Sequence, residues 1–74
     1  MFANVGYLVS MQRKRHGLSR IALAEKAGVG KTVVYDVENG KASVQFNTLA
    51  KILKALDIEL CFRTSQLSIA FKQD

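Results

Sequence analysis

The chain has 74 residues, a formal net charge of +5 and a sequence pI near 9.7, and 49% of its residues are hydrophobic. That length allows one domain, and the apolar fraction excludes disorder by composition. A lone cysteine, Cys61, excludes a disulfide framework, no run of 18 apolar residues offers a membrane helix, and no basic-then-apolar leader opens the chain, so a cytoplasmic location is expected.

In chain order, Val5, Leu8 and Val9 share one helical face over residues 4 to 16, and Arg13 continues that face one turn on. Gly17 is expected to end this helix in a left-handed conformation. Ser19 is an N-cap for a second helix running to about Ala27, although Ala22 stands where a capping box would place Glu or Gln. Gly28 closes that helix, Val29 plugs the turn, and Gly30 precedes a third helix from Lys31 to Asn39. Thr32, Val33, Val34, Tyr35 and Val37 are mediocre helix formers, so propensity alone would allow a strand there; the flanking glycines and packing on neighbouring helices favour a helix. Leu23, Ala24, Ala27, Val29, Val34 and Val37 fall where they would pack the second and third helices together, and such a pair can present its second helix to the major groove of DNA.

Gly40 to Phe46 reads as a loop, with Asn47 capping a fourth helix over Thr48 to Leu56 whose apolar stripe is Leu49, Ile52, Leu53 and Leu56. Asp57 breaks it. Ile58 to Arg63 then alternates as a strand with Cys61 as the exception, and Leu67, Ile69 and Phe71 alternate again, as a second strand or an extended arm. One or two strands are not stable alone in so small a domain, so a second copy of the chain is the expected partner.

The segment GLSRIALAEKAGVGKTVVYDVENGK, residues 17 to 41, resembles the Cro/C1-type, or XRE-type, helix-turn-helix family. The signature is Gly17-Leu18-Ser19, Leu23-Ala24, Ala27-Gly28-Val29, Val34, and Val37-Glu38-Asn39-Gly40. The run VQFNTLAKILKALDIELCF, residues 44 to 62, looks like the last helix and short strand of the HipB-type antitoxins. The resemblance implies a mainly all-α, lambda-repressor-like helix-turn-helix bundle of four to five short helices. It adds a C-terminal β-strand at about 58 to 63 that pairs across a homodimer, with Ile58, Leu60 and Phe62 carrying the dimer contact or bridging it to the core. Residues 1 to 63 would form the DNA-binding domain, and 64 to 74 a tail that is either a second strand or disordered.

The resemblance also implies roles for individual residues. In phage repressors of the family an Arg of the first helix forms a buried pair with the Glu of the E-N-G motif, and the matching positions are Arg13 and Glu38. Lys31, Thr32, Tyr35 and Asp36 would lie on the exposed face of the third helix, with Val33 at its edge. Ser19, Arg20 and Lys41 fall at positions that meet the DNA backbone. The chain departs from the pattern at Gln12, where an apolar residue is common, and at Gly30, which replaces the usual Ser or Thr cap.

DNA is the expected partner on charge as well: residues 1 to 41 hold seven Lys/Arg against three acids, so +4 of the +5 lies there. The function implied is a sequence-specific repressor meeting a palindromic operator. The resemblance to HipB further suggests the antitoxin of a toxin–antitoxin pair that also binds a HipA-like kinase toxin. Two alternatives are a stand-alone or phage-type repressor without a toxin, and a protein-interaction module that has lost DNA binding. No enzyme is expected. His16 sits at a helix C-terminus, a capping or surface position. Cys61 lacks partners at metal spacing, so no metal or cofactor is expected. Gly28 to Lys31 is not a phosphate-binding loop, because Glu25 stands where its first glycine belongs.

Overall fold

The computed structural model describes residues 5–41, 43–63 and 68–73, with side chains described through residue 61. Four helices lead into a hairpin: α1 Val5–Arg15, α2 Arg20–Ala27, α3 Lys31–Glu38, α4 Phe46–Ala55, β1 Ile58–Arg63 and β2 Ser68–Gln73. The helices α2 and α3 pack on each other, α1 packs on α3, α2 packs on α4, and α4 carries β1.

The core is built from the apolar faces that the spacing marks out. Val9, Leu23, Val34, Ile52 and Leu56 are fully excluded from solvent, and Val5, Ala24, Val37, Leu49, Leu53 and Ile58 are buried around them. Leu18, Ala27, Val29 and Val33 pack against this cluster from its rim. Because every helix is short, its stability comes from this shared apolar face rather than from propensity.

The turn between α2 and α3 is closed by Gly28 at φ 73° and ψ 36°. The Val29 N–H then reaches the Ala24 carbonyl at 3.0 Å, which returns Val29 to the core and sets the approach of α3. Gly17 also has positive φ, at 68°, as expected of a helix-ending glycine. Gly6 has a different task. A Cβ there would lie 2.5 Å from the Val37 carbonyl oxygen and 2.8 Å from that of Glu38, so only glycine lets α1 reach the end of α3 this closely.

Several boundaries differ from the expected ones. The third helix ends at Glu38, with Asn39 as its C-cap. The fourth begins at Phe46, not Thr48: Gln45 is its extended N-cap and makes no side-chain cap bond. The Leu49 N–H already bonds to the Gln45 carbonyl at 3.0 Å, so Asn47 lies inside the helix and does not cap it. The helix stops at Leu56, and Asp57 follows in the left-handed region at φ 57°, where Asp is more tolerated than most residues.

β1 pairs antiparallel with β2 of the same chain, in register from Ile58 opposite Gln73 to Arg63 opposite Ser68. One edge of β1 is thus filled without a second copy, and the segment expected as either a second strand or a disordered tail holds a strand over Ser68–Gln73. Residues 64–67 and 74 of that tail lie outside the described residues. Ile58, expected at a dimer contact or as a bridge to the core, is a core residue at 5% exposure within one chain.

Candidate nucleic-acid interface

Helix α3 divides its residues by side. Val34 and Val37 are buried, and Val33 is half-buried against the core. Lys31, Thr32 and Tyr35 are exposed, and Asp36 is half-exposed on the adjacent flank. The helix starts at Gly30, whose backbone is extended at φ −71° and which offers no side-chain cap. By contrast Ser19, which starts α2, accepts from the Ala22 N–H at 3.0 Å. Its hydroxyl is therefore engaged in capping.

Behind the exposed face lies a charged hub. Arg13 Nε donates to Glu38 Oε2 at 2.7 Å, its Nη2 lies 3.4 Å from Oε1, and its Nη1 donates to the Leu18 carbonyl at 2.8 Å. The two side chains are only 9% and 4% exposed. One guanidinium thus ties the end of α1 to the end of α3 and to the loop that opens α2. Its neighbour Gln12 is also buried, and its Oε1 accepts from Arg15 Nη1 at 3.3 Å. That contact accounts for a polar residue at a position where an apolar one is common.

Glu38 has a second cation. Arg20 Nε donates to its Oε1 at 3.0 Å, and the Arg20 guanidinium stands over the Tyr35 ring, 4.7 Å from the centroid. The Glu38 carboxylate, followed by Tyr35, raises the Arg20 pKa above its ordinary value. The guanidinium stays charged throughout the physiological range. The spacing of Tyr35 and Glu38, three residues apart on one helix, places both beneath an arginine on the first turn of α2.

Lys41 and Asp36 meet as well, with Nζ 3.6 Å from Oδ2 across the end of α3. Both groups remain open to solvent, so this is a weak, screened pair. Together with Val33, Ser43, Val44, Gln45 and Thr48 they line a shallow groove between α3 and the start of α4.

The structure therefore brings Ser19, Arg20, Lys31, Thr32, Val33, Tyr35, Asp36 and Lys41 onto α2's first turn, α3 and the loop after it. Ile58 and Leu60 lie elsewhere, against α4, where Leu60 is half-buried. The Phe62 side chain lies outside the described ones. Cys61 is a free, half-buried thiol. Among the described residues no group of His, Cys, Asp or Glu could hold a metal ion, and no helix is long and apolar enough to cross a membrane. Sequence reasoning missed Gly6, the second cation on Glu38, the stacking of Arg20 on Tyr35 and the pairing of Asp36 with Lys41. A glycine inside a helical pattern was the available signal for the first.

The helix-turn-helix family profile matches residues 9–62, from the middle of α1 into β1. The chain belongs to the helix-turn-helix family. This helix-turn-helix protein is also 37% identical over 54 residues to an uncharacterized HTH-type transcriptional regulator of Sinorhizobium fredii, an alignment covering 73% of this chain and 71% of the relative. The matched span contains the hub, α3 and the whole exposed face described above.

Proposed function

We propose that this helix-turn-helix protein, a DNA-binding transcriptional regulator by family, is a sequence-specific repressor that inserts α3 into the major groove of its operator. The observation that carries the reading is the two-sidedness of α3: Val34 and Val37 are locked in the core while Lys31, Thr32 and Tyr35 stand in solvent. An exposed helix face backed by a rigid turn is what a major groove accepts.

In this reading Lys31 reaches a guanine edge or a phosphate, and Thr32 bonds a base or meets a thymine methyl, with Val33 beside it. Arg20 and Lys41 contact phosphates on either side, and the backbone around Ser19 adds to the first of these sites. Asp36 is suited to accept from cytosine N4, and its pairing with Lys41 offsets its repulsion of phosphate. The protein acts as a homodimer on a palindromic operator, with half-sites roughly 34 Å apart or a multiple of that. Such a protein needs no enzyme activity and works in the cytoplasm.

A finer reading, an antitoxin that autoregulates its operon and binds a HipA-like kinase toxin, rests on the resemblance of residues 44 to 62 to HipB-type antitoxins. It is supported by that resemblance alone and is tested by co-purification with the product of a kinase-like neighbouring gene. The repressor reading is tested by selecting binding duplexes from a random pool. We expect a two-fold symmetric site, and we expect Thr32→Ala to relax the preference at one position per half-site by about 1–3 kcal/mol. Selection of no site, or the same preference from Thr32→Ala and Lys31→Ala variants, would overturn the docking of α3.

A further inference from the structure

The contact between Arg20 and Tyr35 joins two helices across the exposed face, and it constrains what each side chain is able to do. An arginine on a helix surface has many rotamers open to it, and it loses that freedom when it grips a phosphate. Arg20 has already given up much of that freedom. Its Nε is committed to Glu38 Oε1 at 3.0 Å, and its guanidinium carbon stands over the Tyr35 ring, 4.7 Å from the centroid. Glu38 is itself fixed, because Arg13 holds its other oxygen at 2.7 Å in a site only 4% exposed. Yet 40% of the Arg20 side chain remains open to solvent, at the first turn of α2. The result is a charged planar fork, anchored at its base and held over a ring, with part of its surface open to solvent. A fork of that geometry suits the oxygens of a phosphate.

Tyr35 is constrained in the complementary sense. It is 44% exposed, so its ring is not a core element. One face of the ring is covered by the guanidinium and so is closed to a base or a thymine methyl.

We propose that Tyr35 is a positioning residue: its ring, with the Glu38 carboxylate, holds Arg20 in place to grip a DNA phosphate, so that α2 and α3 engage the backbone as one unit. This rests on the DNA-binding reading above and gives Tyr35 a part within it. Tyr35 acts through Arg20 and does not read sequence.

The test is a double-substitution cycle. Affinities of the wild type, Tyr35→Leu, Tyr35→Phe, Arg20→Ala and Tyr35→Leu/Arg20→Ala are measured by fluorescence anisotropy over a range of salt. Two duplexes of about 30 base pairs, roughly three helical turns, serve as probes: one taken from the random-pool selection and one with its sequence shuffled. Arg20→Ala is expected to weaken both duplexes by about the same factor and to lower the salt slope by about 1. Tyr35→Leu is expected to weaken both several-fold, with no change in their ratio, and to have almost no further effect once Arg20 is alanine. Tyr35→Phe, which keeps the ring and loses only the hydroxyl, should bind much closer to the wild type than Tyr35→Leu does. A Tyr35→Leu effect that persists undiminished in the Arg20→Ala background would overturn the inference, as would a changed ratio between the duplexes or no effect at all. Failure of the wild type to bind either duplex at low salt would instead overturn the DNA reading beneath it.

Discussion

The Glu38 carboxylate accepts from two guanidiniums that arrive from different helices, Arg13 of α1 and Arg20 of α2. The two differ in what they hold. Arg13 is buried and bonds the Leu18 carbonyl as well, so it is part of the frame; Arg20 is half-open and belongs to the surface. Removing one partner of a buried pair strands the other in a low-dielectric site, a loss of about 3–5 kcal/mol. Arg13→Ala should therefore cost about that much in urea unfolding, a large share of the stability of so small a domain. A midpoint unchanged from the wild type would show that the pair is not part of the frame. The Arg13–Glu38 pairing was legible in the sequence only through the family pattern, because 25 residues separate the partners and no local rule links them. The second contact was not legible at all. In the sequence Arg20 falls at a position that meets the DNA backbone; that the turn also brings it over Tyr35 depends on the angle between two helices.

At the scale of the elements, apolar spacing marked out α1 and α4 while caps and flanking glycines marked out α2 and α3, and Val5, Val9, Leu23, Val34, Val37, Leu49, Ile52, Leu53 and Leu56 all fall in the core. Their ends were less legible. Asn47 is a good capping residue in isolation, but the backbone starts α4 earlier, at a Gln45 that makes no cap bond, because the helix is anchored by Leu49 and Ile52 packing and not by its cap. The start of α3 is uncapped in the same way. A Cβ at Gly30 would meet nothing within 4 Å, and its φ of −71° suits any residue. Gly30→Ser is therefore expected to stabilise the protein by a few tenths of a kcal/mol and up to about 1. The gain would be read as a raised urea midpoint at unchanged slope. A lowered midpoint would mean that the α3 start needs glycine for a reason other than its backbone conformation.

At the scale of the molecule, the alternating run at 58 to 63 announced a strand that had to pair with something, and the pairing was the part the sequence left open. The second alternating run supplies it from the same chain, from Ile58 opposite Gln73 to Arg63 opposite Ser68. Dimerisation on a palindrome remains a requirement of the proposed function, and sedimentation equilibrium at micromolar concentration should return twice the chain mass of 8.2 kDa. A monomer that stays monomeric on DNA would remove the two-fold operator from the account. The central claim is simpler: this basic domain, with +4 of its +5 charge in residues 1 to 41, binds DNA through α3 and the cations beside it. The most direct test is the affinity of the wild-type protein for duplex DNA as a function of salt. Each phosphate neutralised by a lysine or arginine releases counterions, so log K should fall linearly with log salt, by about 0.9 per phosphate contact. With Arg20, Lys31 and Lys41 on the face of each protomer, a steep line is predicted; no binding at low salt, or an affinity indifferent to salt, would contradict it.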